Sequence, residues 1–255
     1  MTPAAFTITG GTGATTVSGA TATGSSVTLT TSTLAPGTTY TVTVGAAVTD
    51  PSGTPVSATM NTATFMLAAA CTPATHLVIS EIDYDMVGTD NAEFIEIHNP
   101  TGAPIALDGH SIILFNGSGA AGLEYAEVAL SGSLAAGGYA IVAAAAFVVP
   151  TGVTLFPIAV GVQNGDPDGV ALVDRRGAVP VIVDGLAYDG TMATFTLDEA
   201  VDIPLANTES TSLGDSNDIA GALSRIPTSC DRNTPAVDWQ FTSTLTPGAA
   251  NVLTP

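Results

Sequence analysis

Leu77–Pro100 reads LVISEIDYDMVGTDNAEFIEIHNP, and its patterning decides the fold class. Leu77, Ile79 and Ile82 are interleaved with Ser80, Glu81 and Asp83, and Phe94, Ile95 and Ile97 with Glu93, Glu96 and His98. Gly88-Thr89-Asp90-Asn91 separates the two runs. Alternation with period 2 on either side of a turn cluster predicts strand, loop, strand, with an apolar face on a core and a polar face outward. Glu93 and Glu96 would then point to opposite faces and not act as a carboxylate pair.

The composition agrees with a β-rich fold. Of 255 residues, 45% are hydrophobic and only 5% aromatic, so the core is built from Val, Ile, Leu and Ala. The 27 Gly and 16 Pro are scattered as turn punctuation, which suits many short strands. Twenty-three acidic residues face four basic ones, all Arg, for a net charge of −19. Such a surface repels phosphate backbones and anionic lipid, which excludes nucleic acid and acidic membranes as partners. It faces cations, cationic partners or solvent.

Cys71 and Cys230 are the two cysteines, and neither lies in a CxxC pair. They suit one disulfide in an oxidising compartment, closing a loop worth about 4–5 kcal/mol in the chain-entropy model. The alternative is a pair of buried thiols. The opening MTPAAFTITGG has neither a basic nor an apolar segment of the kind that leads a secreted chain. The longest apolar run, Tyr139–Val149, stops at Pro150 and is too short for a membrane span, so no membrane insertion is expected.

Character shifts near residue 70. Residues 1–67 hold one acid, Asp50, and no basic residue, whereas Arg175, Arg176, Arg225 and Arg232 all follow. Residues 68–75, AAACTPAT, read as a linker. Before it, Ser26–Thr30 and Thr39–Val44 alternate as strands around the turn Leu34-Ala35-Pro36-Gly37. The run LAPGTTYTVTV resembles the corner of fibronectin type III and bacterial Ig-like domains, with Tyr40 in the place of the tyrosine whose hydroxyl bonds back to the turn. Val48–Phe65, VTDPSGTPVSATMNTATF, resembles the last hairpin of bacterial Ig-like domains of surface-layer proteins. The two strands that usually open such a domain have no counterpart before Phe6, so residues 1–67 are expected to be an incomplete sandwich with open strand edges.

After the linker, strands are expected at Ser111–Phe115, Glu124–Leu130, Gly138–Ala143, Val153–Val160, Gly169–Asp174, Pro180–Ala187 and Trp239–Ser243. Ala143–Phe147 supports one helical turn at most. The fold class is all-β. The blocks ISEIDYD, DNAEFIEIHNPTGAPIALDGHSI, LAAGGYAIVA, NGDPDGVALVDRRGAVPVIVDGLAYDG and STLTPGAAN, in this order, resemble the bacterial form of the lamin tail domain over residues 76–251. Thr191–Ala220 and Ala143–Ala146 depart from it, and 252–255 form a tail. The resemblance implies two Ig-like β-sandwich modules in tandem. It also implies a non-catalytic extracellular or cell-surface module.

Three acidic loops are candidates for chemistry. Asn164, Asp166 and Asp168 followed by Gly169 match positions 1, 3, 5 and 6 of a calcium loop, although Arg175 stands where a bidentate Glu belongs. Asp83, Asp85 and Asp90 could form an irregular oxygen cage, and Asp215-Ser216-Asn217-Asp218 is a weaker third. Solvated turns and Asx-type loops are the alternative for each. Calcium is thus the one cofactor candidate. Gly117–Gly122 matches GxGxxG, but without a following helix it is a hairpin loop. His76, His98 and His110 lack zinc-ligand spacing, and no GxSxG elbow occurs. Trp239, Phe94 and Phe115 are expected to anchor the core.

These readings converge on a non-catalytic structural or adhesive module working through other protein chains, further Ig-like domains or copies of itself, with strand exchange as one route. The rival is an accessory domain of a secreted hydrolase that binds substrate or calcium.

Overall fold

The computed structural model describes residues 2–253 except 12–14, 25, 36, 37, 51, 68–70, 119, 120, 198–201 and 204–207. The chain divides into two compact units, residues 1–70 and 71–255. The expected linker therefore straddles the division, and its residues 68–70 lie outside the described ones.

Among the described residues the first unit has five strands: β1 (Phe6–Thr9), β2 (Val17–Thr23), β3 (Ser26–Thr31), β4 (Thr38–Val44) and β5 (Thr62–Leu67). β1, β4 and β5 form an antiparallel sheet in that order, and β2 and β3 form a hairpin. Its small core contains Phe6, Ile8 and Tyr40. The Tyr40 ring stacks on Phe65 at 5.7 Å, and its hydroxyl accepts a hydrogen bond of 2.8 Å from the Ala35 amide. That bond ties β4 to the turn before it, although Pro36 and Gly37 lie outside the described residues.

The second unit is a two-sheet sandwich. One sheet has six strands in the order β13 (Thr154–Pro157), β12 (Tyr139–Ala143), β7 (Phe94–His98), β6 (Val78–Asp83), β19 (Ala222–Arg225), β20 (Trp239–Thr242). The other has seven: β17 (Asp202–Ile203), β16 (Thr194–Thr196), β10 (Ala121–Ala129), β9 (His110–Ser118), β14 (Asp168–Asp174), β15 (Val181–Tyr188), β18 (Thr208–Ser210). A short pair, β8 (Ile105–Ala106) with β11 (Ser133–Leu134), and a four-residue helix, α1 (Pro235–Asp238), complete it. Pairing is antiparallel except for β12 with β13, β10 with β16 and β15 with β18.

Side-chain alternation explains the packing. Ile79, Ile82, Ile95 and Ile97 face Ile112, Leu114, Val170, Leu172 and Leu186 across the main core, with Trp239 among them. Ile79 and Ile82 are three residues apart, yet both face inward because a β-bulge lies between Ile79 and Glu81. Opposite-parity residues Ile113, Phe115, Ala171 and Val173 form a second cluster on the outer face of the seven-stranded sheet. Met192, Phe195, Leu197 and Ile203 cover them, so the segment that departs from the lamin tail pattern serves as a lid. Phe115 and Phe195 stack at 4.1 Å, and Phe94 packs with Ile141 and Ala143 in a third cluster. Of the three expected anchors, only Trp239 belongs to the core between the sheets.

The polar face expected of β6 and β7 is not solvated. Ser80, Glu81 and Glu96 are fully buried beneath the segment after β20. Glu81 accepts hydrogen bonds from the Thr246 amide and hydroxyl, each 3.1 Å, and Glu96 accepts from the Gly248 amide. Asn251 donates to the carbonyls of Ser80 and Arg225. Burial raises the pKa of Glu81 to about 7 and of Glu96 to about 8. Cys71 and Cys230 are joined as a disulfide with Cα atoms 5.9 Å apart, linking the start of this unit to the segment before α1.

Candidate functional site

The three acidic loops meet at one end of the second unit. Asp83 closes β6, Asp168 opens β14, Asp189 follows β15 and Asp215 lies in the loop after β18. Tyr84 organises them. Its ring stacks on Tyr188 at 4.2 Å, its hydroxyl donates to Asp189 at 2.7 Å, and the Asp215 amide donates to that hydroxyl at 2.8 Å. The Asp215 carboxylate accepts from the amides of Tyr84, Asp85 and Ser216. Asp85 in turn accepts from the Asn217 amide at 3.1 Å and from the Asn164 side chain at 3.2 Å. Two residues from separate sequence motifs, Asp85 and Asn164, are therefore direct partners.

At 164–169, Asn164 and Asp168 each have hydrogen-bond partners of their own. Asp168 is buried, and its carboxylate accepts from the amides of Gly117 at 3.2 Å and Gly165 at 2.7 Å. Gly169 is the second residue of β14 and not a turn glycine. A Cβ there would lie 2.8 Å from the Phe195 ring, so its bare backbone admits that ring. Asn164, Asp166 and Asp90 are exposed on the rim.

The carboxyl groups deeper in are strongly perturbed. Burial, and then the neighbouring Asp215 charge, pushes Asp83 up to about 8. Burial likewise raises Asp215, Asp189 and Asp168, and lifts Glu93 to about 7 with a further push from Asp90.

A second charged cluster lies where sequence reasoning placed none. Arg225 on β19 is fully buried and makes a two-pronged pair with Asp184 at 3.1 and 2.9 Å. It also pairs with Glu209 at 3.1 Å, donates to the carbonyls of Ile79 and Cys230, and sits 4.7 Å over the Trp239 ring. Trp239 donates its indole N–H to Glu209, and Asp238 pairs with Arg232. Asp184, Glu209 and Asp231 are the one trio of acids among the described residues whose ligand atoms all lie within 4.8 Å. The guanidinium among them makes the trio an ion-pair core.

The histidines stay apart. His76 pairs with Asp231 at 3.1 Å, His98 stacks on Tyr139, and His110 lies 3.5 Å from Arg176. The GxGxxG stretch joins β9 to β10 as a hairpin, with residues 119 and 120 outside the described ones. Among the described residues no helix is long and apolar enough to cross a membrane.

Comparison with known families divides the chain as the fold does. Residues 70–190 match the family model of the Lamin Tail Domain, and residues 1–75 match that of a Bacterial Ig-like domain. No curated protein matches the chain. The lamin tail match ends before β19, β20 and the segment to Asn251, which the six-stranded sheet nevertheless requires.

Proposed function

Taking the chain as a bacterial Ig-like domain followed by a lamin tail domain, we propose that it is a structural module of a secreted or cell-surface bacterial protein, working through association with other chains by strand addition. Domains of these two kinds are typically non-catalytic structural or binding modules. The observation that carries the finer reading is β5. Among the described residues it pairs with β4 on one side and ends its sheet on the other. Thr62, Ala63, Thr64, Phe65 and Leu67 are all exposed, and its sequence TATFML holds no charge, Pro or Gly. Edge strands of stable monomers are usually blunted by such residues, and an unguarded edge is a template for another strand. The disulfide and the large negative charge suit an oxidising, extracellular setting.

The test is sedimentation equilibrium of the full chain against Thr64→Lys, which puts a charge on that edge. The reading expects concentration-dependent association in the parent chain and a folded monomer in the variant. Equal association of the two chains, or a parent chain that stays monomeric throughout, would discard self-association through β5.

A further inference from the structure

At the junction of β6 with the loop after β18, one carboxyl group lacks a counter-charge and part of its hydrogen bonding. Asp83 is 3% exposed, and its carboxyl group shares a hydrogen bond with that of Asp215. Its Oδ1 has no hydrogen-bond partner. Buried polar atoms are nearly always satisfied, so an orphaned acceptor beside a second acceptor marks a place where something positive belongs.

Among the described residues no Lys or Arg side chain is placed to supply it. The chain contains no Lys, and its four Arg are engaged elsewhere: Arg175 with Glu127, Arg176 with Asp174, Arg225 in its buried cluster and Arg232 with Asp238. Glu93 adds a further negative group acting on Asp83. Asp85 reaches the pair through its amide, which bonds the Asp215 carboxylate. Carboxylate oxygens without nearby imidazole or thiolate select hard cations, and a flexible loop set suits calcium over the smaller magnesium.

We propose that Asp83 and Asp215 are the paired ligands of a calcium ion at this end of the second unit. The ion would pin two segments more than a hundred residues apart, β6 and the 211–218 loop, through one centre. A proton shared between Asp83 and Asp215 is the competing way to settle the pair, and it predicts no response to calcium.

The full chain, stripped with chelator, is titrated with calcium chloride at pH 7.5 and followed by calorimetry and thermal melting. Affinities near 0.1–1 mM are typical of extracellular calcium modules, so 10 mM calcium should raise the melting temperature by about 5 °C. Magnesium should raise it less. Asp83→Asn and Asp215→Asn should each weaken calcium binding at least tenfold, while melting no lower than the parent chain in chelator. An unchanged melting temperature in the parent chain overturns the proposal, as does a shift that survives in both variants. If a variant melts low in chelator, the 13C resonance of the parent Asp83 carboxyl decides. Calcium moves it if the ion binds there, and leaves it in place if the pair holds a proton.

Discussion

The two units handle polar residues in opposite ways. In residues 1–70 the strands are rich in Thr, the polar side chains face outward, and the one acid, Asp50, caps its own turn by accepting from the amides of Ser52 and Thr54. In residues 71–255 both sheets are covered on both faces, so acids that begin on an outer face end up buried. Among the described residues the first unit's three-stranded sheet ends at β1 and β5, and the unit carries almost no charge. The second closes its faces and must then neutralise what it has enclosed, with Arg225 for one cluster, backbone amides for Glu81 and Glu96, and protonation or a cation at Asp83. Covering a sheet face is thus an electrostatic commitment as well as an apolar gain.

The contrast breaks most visibly at Arg225. Replacing it with Met leaves Asp184 and Glu209 facing each other without their cation, and should cost about 3–5 kcal/mol. Urea melts followed by the fluorescence of Trp239, the single Trp and a resident of the second unit, measure it. A loss under 1 kcal/mol would mean that the acids take up protons at no cost and that the pairing is incidental.

A smaller effect concerns pH. Glu81, Glu96 and Asp83 have folded pKa values of about 7, 8 and 8, above ordinary carboxylate values. The folded state therefore holds more protons than the unfolded one between about pH 4.5 and 8, and stability falls as pH rises through that window. Relaxation and water penetration at the buried sites leave only part of the full linkage of about 10 kcal/mol, and we expect the second unit to be on the order of 2–3 kcal/mol less stable at pH 8 than at pH 5 in calcium-free buffer. A melt that is flat or improves across this range contradicts the buried-acid account. The first unit lacks such groups and should not respond.

The smallest effect belongs to the first unit. Tyr40→Phe removes the acceptor of the Ala35 amide and should cost about 1 kcal/mol, read as a shift in the far-ultraviolet melt of residues 1–70. No change would show that the ring stack on Phe65, and not the hydroxyl, holds this corner.

Much of the architecture was legible residue by residue. Alternation placed β9, β12, β14, β15 and β20 within a few residues, and the cysteines paired as one of two expected outcomes. The second cover was harder to see. The apolar runs Ile112–Phe115 and Val170–Val173 do signal strands buried on both faces, but what covers them is Phe195, far along in a segment without a periodic pattern. Glu81 and Glu96 looked solvated because the amides that receive them come from Thr246 and Gly248, with no local trace. Arg225 gathers partners from four separate segments. At the acidic end each loop was visible as a motif, but a loop template put Asp168 and Gly169 in a turn, whereas both belong to β14. The meeting of Asp85, Asn164 and Asp215 is a property of topology.

The segment that seals Glu81 and Glu96 has a consequence in time. β6 is the first strand of its sheet to be synthesised, yet it is flanked by β19 and roofed by residues 246–251. Glu81 and Glu96 are enclosed and hydrogen-bonded only once residues 246–251 are in place. Contacts of such long sequence separation close late and slowly. The second unit therefore waits on its last residues for its closure, whereas the strands described in the first unit all lie within residues 6–67.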